Sequence, residues 1–360
     1  MTIWHEDDMN DMERKDGMPE AAALVRARQP LVHLLTNYVT VTDCVNALLA
    51  VGARAICSHA PEEAAQVTRG ADALVCNLGG TEYYGAMELS FAAAMEKGIP
   101  IVIDPVGCGA SSHRREMCLR LVDKYAQSFR STGIPENGTG NGDRPDRSGD
   151  FSGGKDLPSG EGDGTVRNNL SVRGILAVRG NYAEIEALIS GHSDSPGLDD
   201  LQMPDAGEER TLEKRMMSFA GRNHVLLIAS GETDLCTDGR ELREIHRGTP
   251  ALRRITGAGC LSSAVLAAYL AAGRADAPRG LSETGRSGFG SETQTVATAS
   301  GMAGNETSPG EPLKWAAAAV SRIGAAGEAA LDACRRSGTG AGHFHMYLMD
   351  ALSAGDPLWQ

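Results

Sequence analysis

Six short apolar runs, each followed at once by small or polar residues, constrain the fold of this 360-residue chain more than any other feature. They are "LVHLL" (31–35), "ARAIC" (53–57), "ALVCN" (73–77), "IPIVID" (99–104), "GILAV" (174–178) and "HVLLIA" (224–229). Between them lie stretches such as "VTDCVNALLAVG", "AMELSFAAAMEKG", "REMCLRLVDKYAQSF" and "AEIEALISG", in which apolar residues recur at helical spacing. Two further helices are expected in "EPLKWAAAAVSRIGAAGEAALDACRRS" and "HFHMYLMDALS". The alternation predicts βα units: an α/β fold with a largely parallel central sheet and helices on both faces. In such a sheet the strand endings share one edge, and ligands bind outside it. The residues brought to that edge include Thr36-Asn37, Ser58-His59, Pro105-Val106-Gly107, Arg179-Gly180-Asn181 and Ser230-Gly231-Glu232.

Two segments break the pattern. Residues at about 131–170 and 272–311 are rich in Gly, Ser, Asp and Pro and nearly free of apolar side chains. Neither buries enough apolar surface to offset the entropy of ordering it, so both are expected to be disordered insertions. Without them roughly 280 residues remain, enough for one α/β domain over 21–360 behind an acidic extension at 1–20. A domain boundary at either segment is the alternative.

The formal charge of −13 argues against nucleic-acid and anionic-membrane partners, which need clustered Lys and Arg. No run of about 18 apolar residues is present, and the polar N-terminus lacks the apolar core of a signal peptide. The eight cysteines show no C-x-x-C pair, so a reducing, cytoplasmic setting and no structural metal are expected.

Four stretches carry chemistry. In "RRITGAGCLSSAVLAAYLAAG" the turn Gly257-Ala258-Gly259 runs into a helix, offering unpaired N–H groups and the positive end of the dipole to an anion. Cys260 falls on the first helical turn, where the dipole favours thiolate; a buried small hydrophobe is the other reading. In "IVIDPVGCGA" Asp104 closes an apolar strand, where a carboxylate is costly unless it meets a cation or donors. Hydrated Mg²⁺ beside nucleotide phosphates is one such partner, and a turn-stabilising role is the alternative. In "LAVRGNYAEIEAL" Arg179 suits phosphate oxygens or a surface ion pair, and Glu184 either shares the metal or favours a helix N-terminus. Thr36 and Asn37 in "LLTNYVTVTDC" suit a small neutral heterocycle or serve as turn residues.

Together, "TNYVT", "DPVG.GA", "RGN..EI" and "TGAGC", in that order, resemble the hydroxyethylthiazole kinase family, of ribokinase-like fold. The resemblance covers most of the chain outside the two insertions and the extension. It implies ATP- and Mg²⁺-dependent phosphorylation of 4-methyl-5-(2-hydroxyethyl)thiazole, a thiamine-salvage step, in a homotrimer with sites at subunit boundaries. By motif, it implies Cys260 as the catalytic position, Arg179 and Ser230 as ATP-binding, and Gly257 as substrate-binding, with Asp104 and Glu184 near metal and phosphates. The turn Gly257-Ala258-Gly259 would hold phosphate, and Asn37 and Cys57 would face the thiazole.

Two positions depart from the family pattern. Cys57 stands where Met is usual, which enlarges the thiazole pocket, and Ser230 stands where Thr is usual, which keeps the hydroxyl. Rival readings are a kinase for a related alcohol such as hydroxymethylpyrimidine and a nucleotide-dependent NAD(P)H-hydrate dehydratase on the same scaffold.

Overall fold

A computed structural model of the chain describes residues 18–130, 174–190, 211–274 and 312–359. All or nearly all of the acidic extension and of the two low-complexity segments lies outside the described residues; Met18 already begins a helix and Ala272 ends one.

Among the described residues the strands are β1 (Leu31–Leu35), β2 (Arg54–Cys57), β3 (Ala73–Asn77), β4 (Ile101–Asp104), β5 (Leu176–Asn181), β6 (Leu226–Ser230), β7 (Asp234–Thr237) and β8 (Leu242–Ile245). They form one sheet in the order β2-β1-β3-β4-β5-β6-β7-β8. The first six pair in parallel, and β7 and β8 extend the sheet as an antiparallel hairpin. The six apolar runs thus become the parallel strands, as their sequence predicts.

The helices are α1 (Met18–Arg28), α2 (Val41–Ala50), α3 (Pro61–Gly70), α4 (Tyr84–Lys97), α5 (Ser112–Arg130), α6 (Tyr182–Ser190), α7 (Leu212–Asn223), α8 (Ala258–Ala272), α9 (Pro312–Ser337) and α10 (Ala341–Ser353). Alternating side chains along each strand divide the core. Val32, Leu34, Val75, Val102, Ala177 and Ile228 pack with α1, α2, α8, α9 and α10 on one face. Leu35, Leu74, Cys76, Ile103, Val178 and Leu227 pack with α4 to α7 on the other. This period of two fixes which face each strand-end residue leaves, and so which residues meet at the carboxyl edge.

Helix α8 is apolar all round and buried from Cys260 to Ala272. Such a helix is a core element, so its first turn is held rigidly against the sheet. At the opposite edge, Tyr125 Oη donates to the Gly174 carbonyl at 2.7 Å and Arg274 Nη1 to the Gly98 carbonyl at 2.5 Å. The chain therefore leaves α5 and enters β5 at the amino edge of the sheet, and α8 ends there as well.

Candidate active site

A cleft of about 900 Å³ opens at the carboxyl edge. Asn37, Thr40, Asp104, Arg179, Glu184 and Ser230 line it together with the whole turn from Gly257 to Cys260. Its far wall is the segment from Arg247 to Ile255, laid against Ile323 and Gly324 of α9. A Cβ at Gly324 would sit 2.7 Å from Arg247 Cβ, so only glycine lets the segment lie this close. Glu328 clamps it, accepting from Arg247 Nη1 at 2.9 Å and from the Gly248 N–H at 2.7 Å.

The turn before α8 is built by Gly257. Its φ of +81° is left-handed, and a Cβ there would lie 2.9 Å from Thr40 Cγ2. The first intrahelical bond of α8 runs from Leu261 N–H to Gly257 O at 2.9 Å, so the N–H groups of Ala258, Gly259 and Cys260 precede the helical ladder at the cleft wall. Arg179, at the end of β5, braces the turn: Nη1 donates to the Gly259 carbonyl at 2.7 Å and Nη2 to Ser230 Oγ at 2.7 Å. Its Nε is buried without a hydrogen-bond partner, a donor left over at the cleft wall.

Asp104 is 3% exposed, and burial pushes its carboxyl up to about 6, with Glu184 adding to the rise. The Arg179 guanidinium and hydrogen bonds from Cys260 and Asn77 act against it. Both oxygens of Glu184 are engaged, accepting from the Gly107 N–H at 3.0 Å and the Asn181 N–H at 2.9 Å. Asn181 Oδ1 accepts in turn from the Glu184 N–H at 2.9 Å, a reciprocal capping box at the start of α6. The capping role seen in the sequence is realised, and Glu184 still lines the cleft near Asp104.

Of the two readings of Cys260, burial favours the small hydrophobe. Its place on the first turn of α8 suggests a stabilised thiolate, but burial drives the thiol pKa well above its usual value, and neighbouring Asp104 and Cys44 drive it further. Cys260 is held as a thiol, because desolvation and a carboxylate beside it outweigh the helix end. Cys57 does not line the cleft; it is exposed at the end of strand β2.

Asn37 Oδ1 accepts from the N–H groups of Val39 and Thr40 at 3.0 and 3.2 Å, shaping the loop after β1, while Nδ2 donates to Asn77 Oδ1 at 3.0 Å. Asn77, Asp234, the Arg247–Ile255 segment and the α9 wall escape a reading of the sequence. Asn77 had one signal, an amide closing the apolar run "ALVCN"; the others carry none.

Sheet order, helix placement and the position of the cleft put the chain in the ribokinase-like class of α/β folds. A model of the hydroxyethylthiazole kinase family matches residues 23–131 and 162–284, and the chain belongs to that family. It is 32% identical over 251 residues to a hydroxyethylthiazole kinase of Nitratidesulfovibrio vulgaris, covering 69% of this chain and 74% of that one. It is 33% identical over 259 residues to a thiamine biosynthesis bifunctional protein of Symbiobacterium thermophilum, covering 71% of this chain and 43% of that longer protein. The solved structure of a hydroxyethylthiazole kinase protein from Pyrococcus horikoshii superposes with a TM-score of 0.59 at 26% identity, covering 94% of this chain and 92% of the other.

Proposed function

We propose that this chain transfers the γ-phosphoryl group of ATP to the hydroxyl of 4-methyl-5-(2-hydroxyethyl)thiazole, giving the thiazole phosphate and ADP, a step of thiamine salvage. The observation that carries the reading is the meeting of the Gly257–Cys260 turn, Arg179 and Asp104 at one wall of one cleft. The cleft volume lies at the upper end of the range for single-ligand sites, room for a nucleotide and a small heterocycle together.

Phosphoryl transfer asks mainly for in-line positioning and neutralisation of charge on the equatorial oxygens. The substrate oxygen attacks the γ-phosphorus as the bond to the bridging β,γ-oxygen breaks. The N–H groups at the start of α8 and the Arg179 guanidinium face the charge that moves. A loose transition state needs little help from a base. Cys260, held as a thiol, therefore shapes the acceptor end of the site, and the hydroxyl proton passes late in the transfer to an oxygen of the phosphoryl group and from there to water.

The residues fit a hydrated Mg²⁺. Asp104 and Glu184 are two carboxylates lining one cleft, the charge of Glu184 opposes ionisation of Asp104, and a cation at the cleft would relieve that repulsion. Mg²⁺ usually keeps several waters and takes one or two carboxylates, which Asp104 and Glu184 would supply. When bound, Mg²⁺ would neutralise phosphate charge.

We further infer a homotrimer with sites at subunit boundaries, acting in the cytoplasm. The exposed side chains of Tyr38 and Val39 support a covered cleft mouth, since both apolar groups stand beside Asn37 at 79% and 57% exposure. Cys57, exposed beyond the cleft, would reach thiazole only at such a boundary. No helix of the described residues is long and apolar enough to cross a membrane.

The test is ADP release with ATP, Mg²⁺ and a substrate panel. Turnover of hydroxyethylthiazole above hydroxymethylpyrimidine is the expected result. Phosphorylation of the pyrimidine alone, or loss of hydrated nicotinamide cofactor without thiazole phosphate, overturns the reading.

A further inference from the structure

Asn77 closes β3 directly beside Asp104 in the parallel register, and it is 1% exposed. Its Nδ2 donates to Asp104 Oδ2 at 2.8 Å and to Cys260 Sγ at 3.1 Å. Its Oδ1 accepts from Asn37 Nδ2 at 3.0 Å and from the Gly79 N–H at 3.0 Å. A side-chain amide has two N–H hydrogens and two acceptor lone pairs, so all four are committed. The orientation is unique. A flipped amide would set Oδ1 against a carboxylate oxygen and Nδ2 against two N–H donors.

Consequences follow for the thiol. Sγ accepts a hydrogen bond from Asn77, with Asn37 Nδ2 a further 4.0 Å away, so its own hydrogen must go to another partner. Asp104, held by the same Asn77 amide nitrogen, is the carboxylate acceptor beside it. One buried amide therefore ties together residues from the loop after β1, the end of β4 and the first turn of α8.

We propose that Asn77 is the positioning residue of the transfer site: its amide sets the separation of Asp104 and Cys260 and the direction of the thiol hydrogen. The assignment deepens the kinase reading and rests on it. Asn77 touches neither ATP nor thiazole in this role; it acts through the two side chains that flank the reacting atoms. Its loss frees both to turn, which lowers the rate of transfer more than the binding of either substrate.

Asn77→Ser and Asn77→Ala test it with two readouts. Steady-state kinetics with ATP and hydroxyethylthiazole should show kcat reduced at least about tenfold, with both KM values within about threefold of wild type. Infrared difference spectra against Cys260→Ser isolate the Cys260 S–H band. That band should sit at the frequency of a hydrogen-bonded thiol in the wild type and shift in both Asn77 variants. An unchanged kcat, or an S–H band that stays in place, overturns the proposal. The serine variant, smaller and still polar, keeps the test usable if the alanine variant does not fold. Should the wild type turn over no thiazole, the kinase reading fails, while the S–H comparison still decides the role of Asn77.

Discussion

Arg179 links β6 and α8 through one side chain: Nη2 meets Ser230 Oγ and Nη1 meets the Gly259 carbonyl, both at 2.7 Å. The glycine turn is held at its working distance from the sheet by a planar fork whose two arms point to different elements.

A lysine has a single point of attachment and no fork, so Arg179→Lys should lose the brace while keeping the charge. We expect kcat/KM for ATP to fall on the order of 100-fold. Ser230→Ala removes one arm's acceptor only, worth about 1 kcal/mol or roughly fivefold. Initial-rate kinetics of the two variants side by side check the ranking.

Gly257→Ala puts a side chain on a residue at φ +81° and into Thr40 Cγ2. The left-handed conformation alone costs about 1–2 kcal/mol, and the contact adds to it. The second part is separable, because Thr40→Ser deletes the methyl and keeps the hydroxyl. The double variant Gly257→Ala, Thr40→Ser should recover part of the activity lost by Gly257→Ala alone, measured as kcat/KM. Equal activities would mean that the methyl contact is not what displaces the turn.

Asp104 costs stability for its place in the cleft. Its folded-state pKa of about 6 lies above the ordinary 3.8, so stability is fully present below 3.8 and is lost as pH rises through 6. The penalty at pH 8 is about 3 kcal/mol. Asp104→Asn should abolish phosphoryl transfer yet raise the urea midpoint at pH 8, measured with chelator and without nucleotide. A variant less stable than wild type under those conditions would contradict the carboxylate's burial cost.

His33 gives the opposite sign. Fully buried in β1, its Nε2 donates to the Ser58 carbonyl at 3.1 Å and its Nδ1 lies 2.9 Å from Thr68 Oγ1. Burial lowers its pKa to about 4, with His59 adding to the effect and the Ser58 bond and Glu63 opposing it. The folded state holds it neutral, so stability is whole above pH 6.5 and falls by about 3 kcal/mol between 6.5 and 4. Asp104 gains stability over much of the same window, so the His33 contribution is read by difference: His33→Gln should raise the urea midpoint at pH 4 relative to that at pH 7 when each is compared with wild type. A variant whose midpoint tracks the wild type in parallel from pH 7 to 4 would rule out the neutral-histidine assignment.

The parallel strands were legible because each is a short apolar run with a small or polar ending. Strands β7 and β8 were not: "DLCT" and "LREI" mix polar and apolar residues in four-residue runs, and β8, at the sheet margin, is only partly buried. Helix α1 hid behind the acidic extension, its apolar face made largely of alanine. At the site, Arg179, Asp104 and the glycine turn stand where motif and strand ending place them. For Cys260 the sequence offered two readings, a thiolate at the helix end and a buried small hydrophobe, and could not choose between them because it shows neither the depth of burial nor the carboxylate nearby. Asn77 went unseen because its four hydrogen bonds come from residues 2 to 183 positions away, which only the strand register and the docking of α8 bring together.

The amino edge of the sheet, where Gly174 meets Tyr125 and Arg274 meets Gly98, gives the molecule a workshop side and a storage side. The connections that begin after Arg130 and Arg274 start from the storage side, at the other edge of the sheet from the Gly257–Cys260 turn. The described residues that flank those connections, Arg130, Gly174 and Arg274, are none of them among the residues that line the cleft, so a change confined to these attachment points leaves the cleft wall in place.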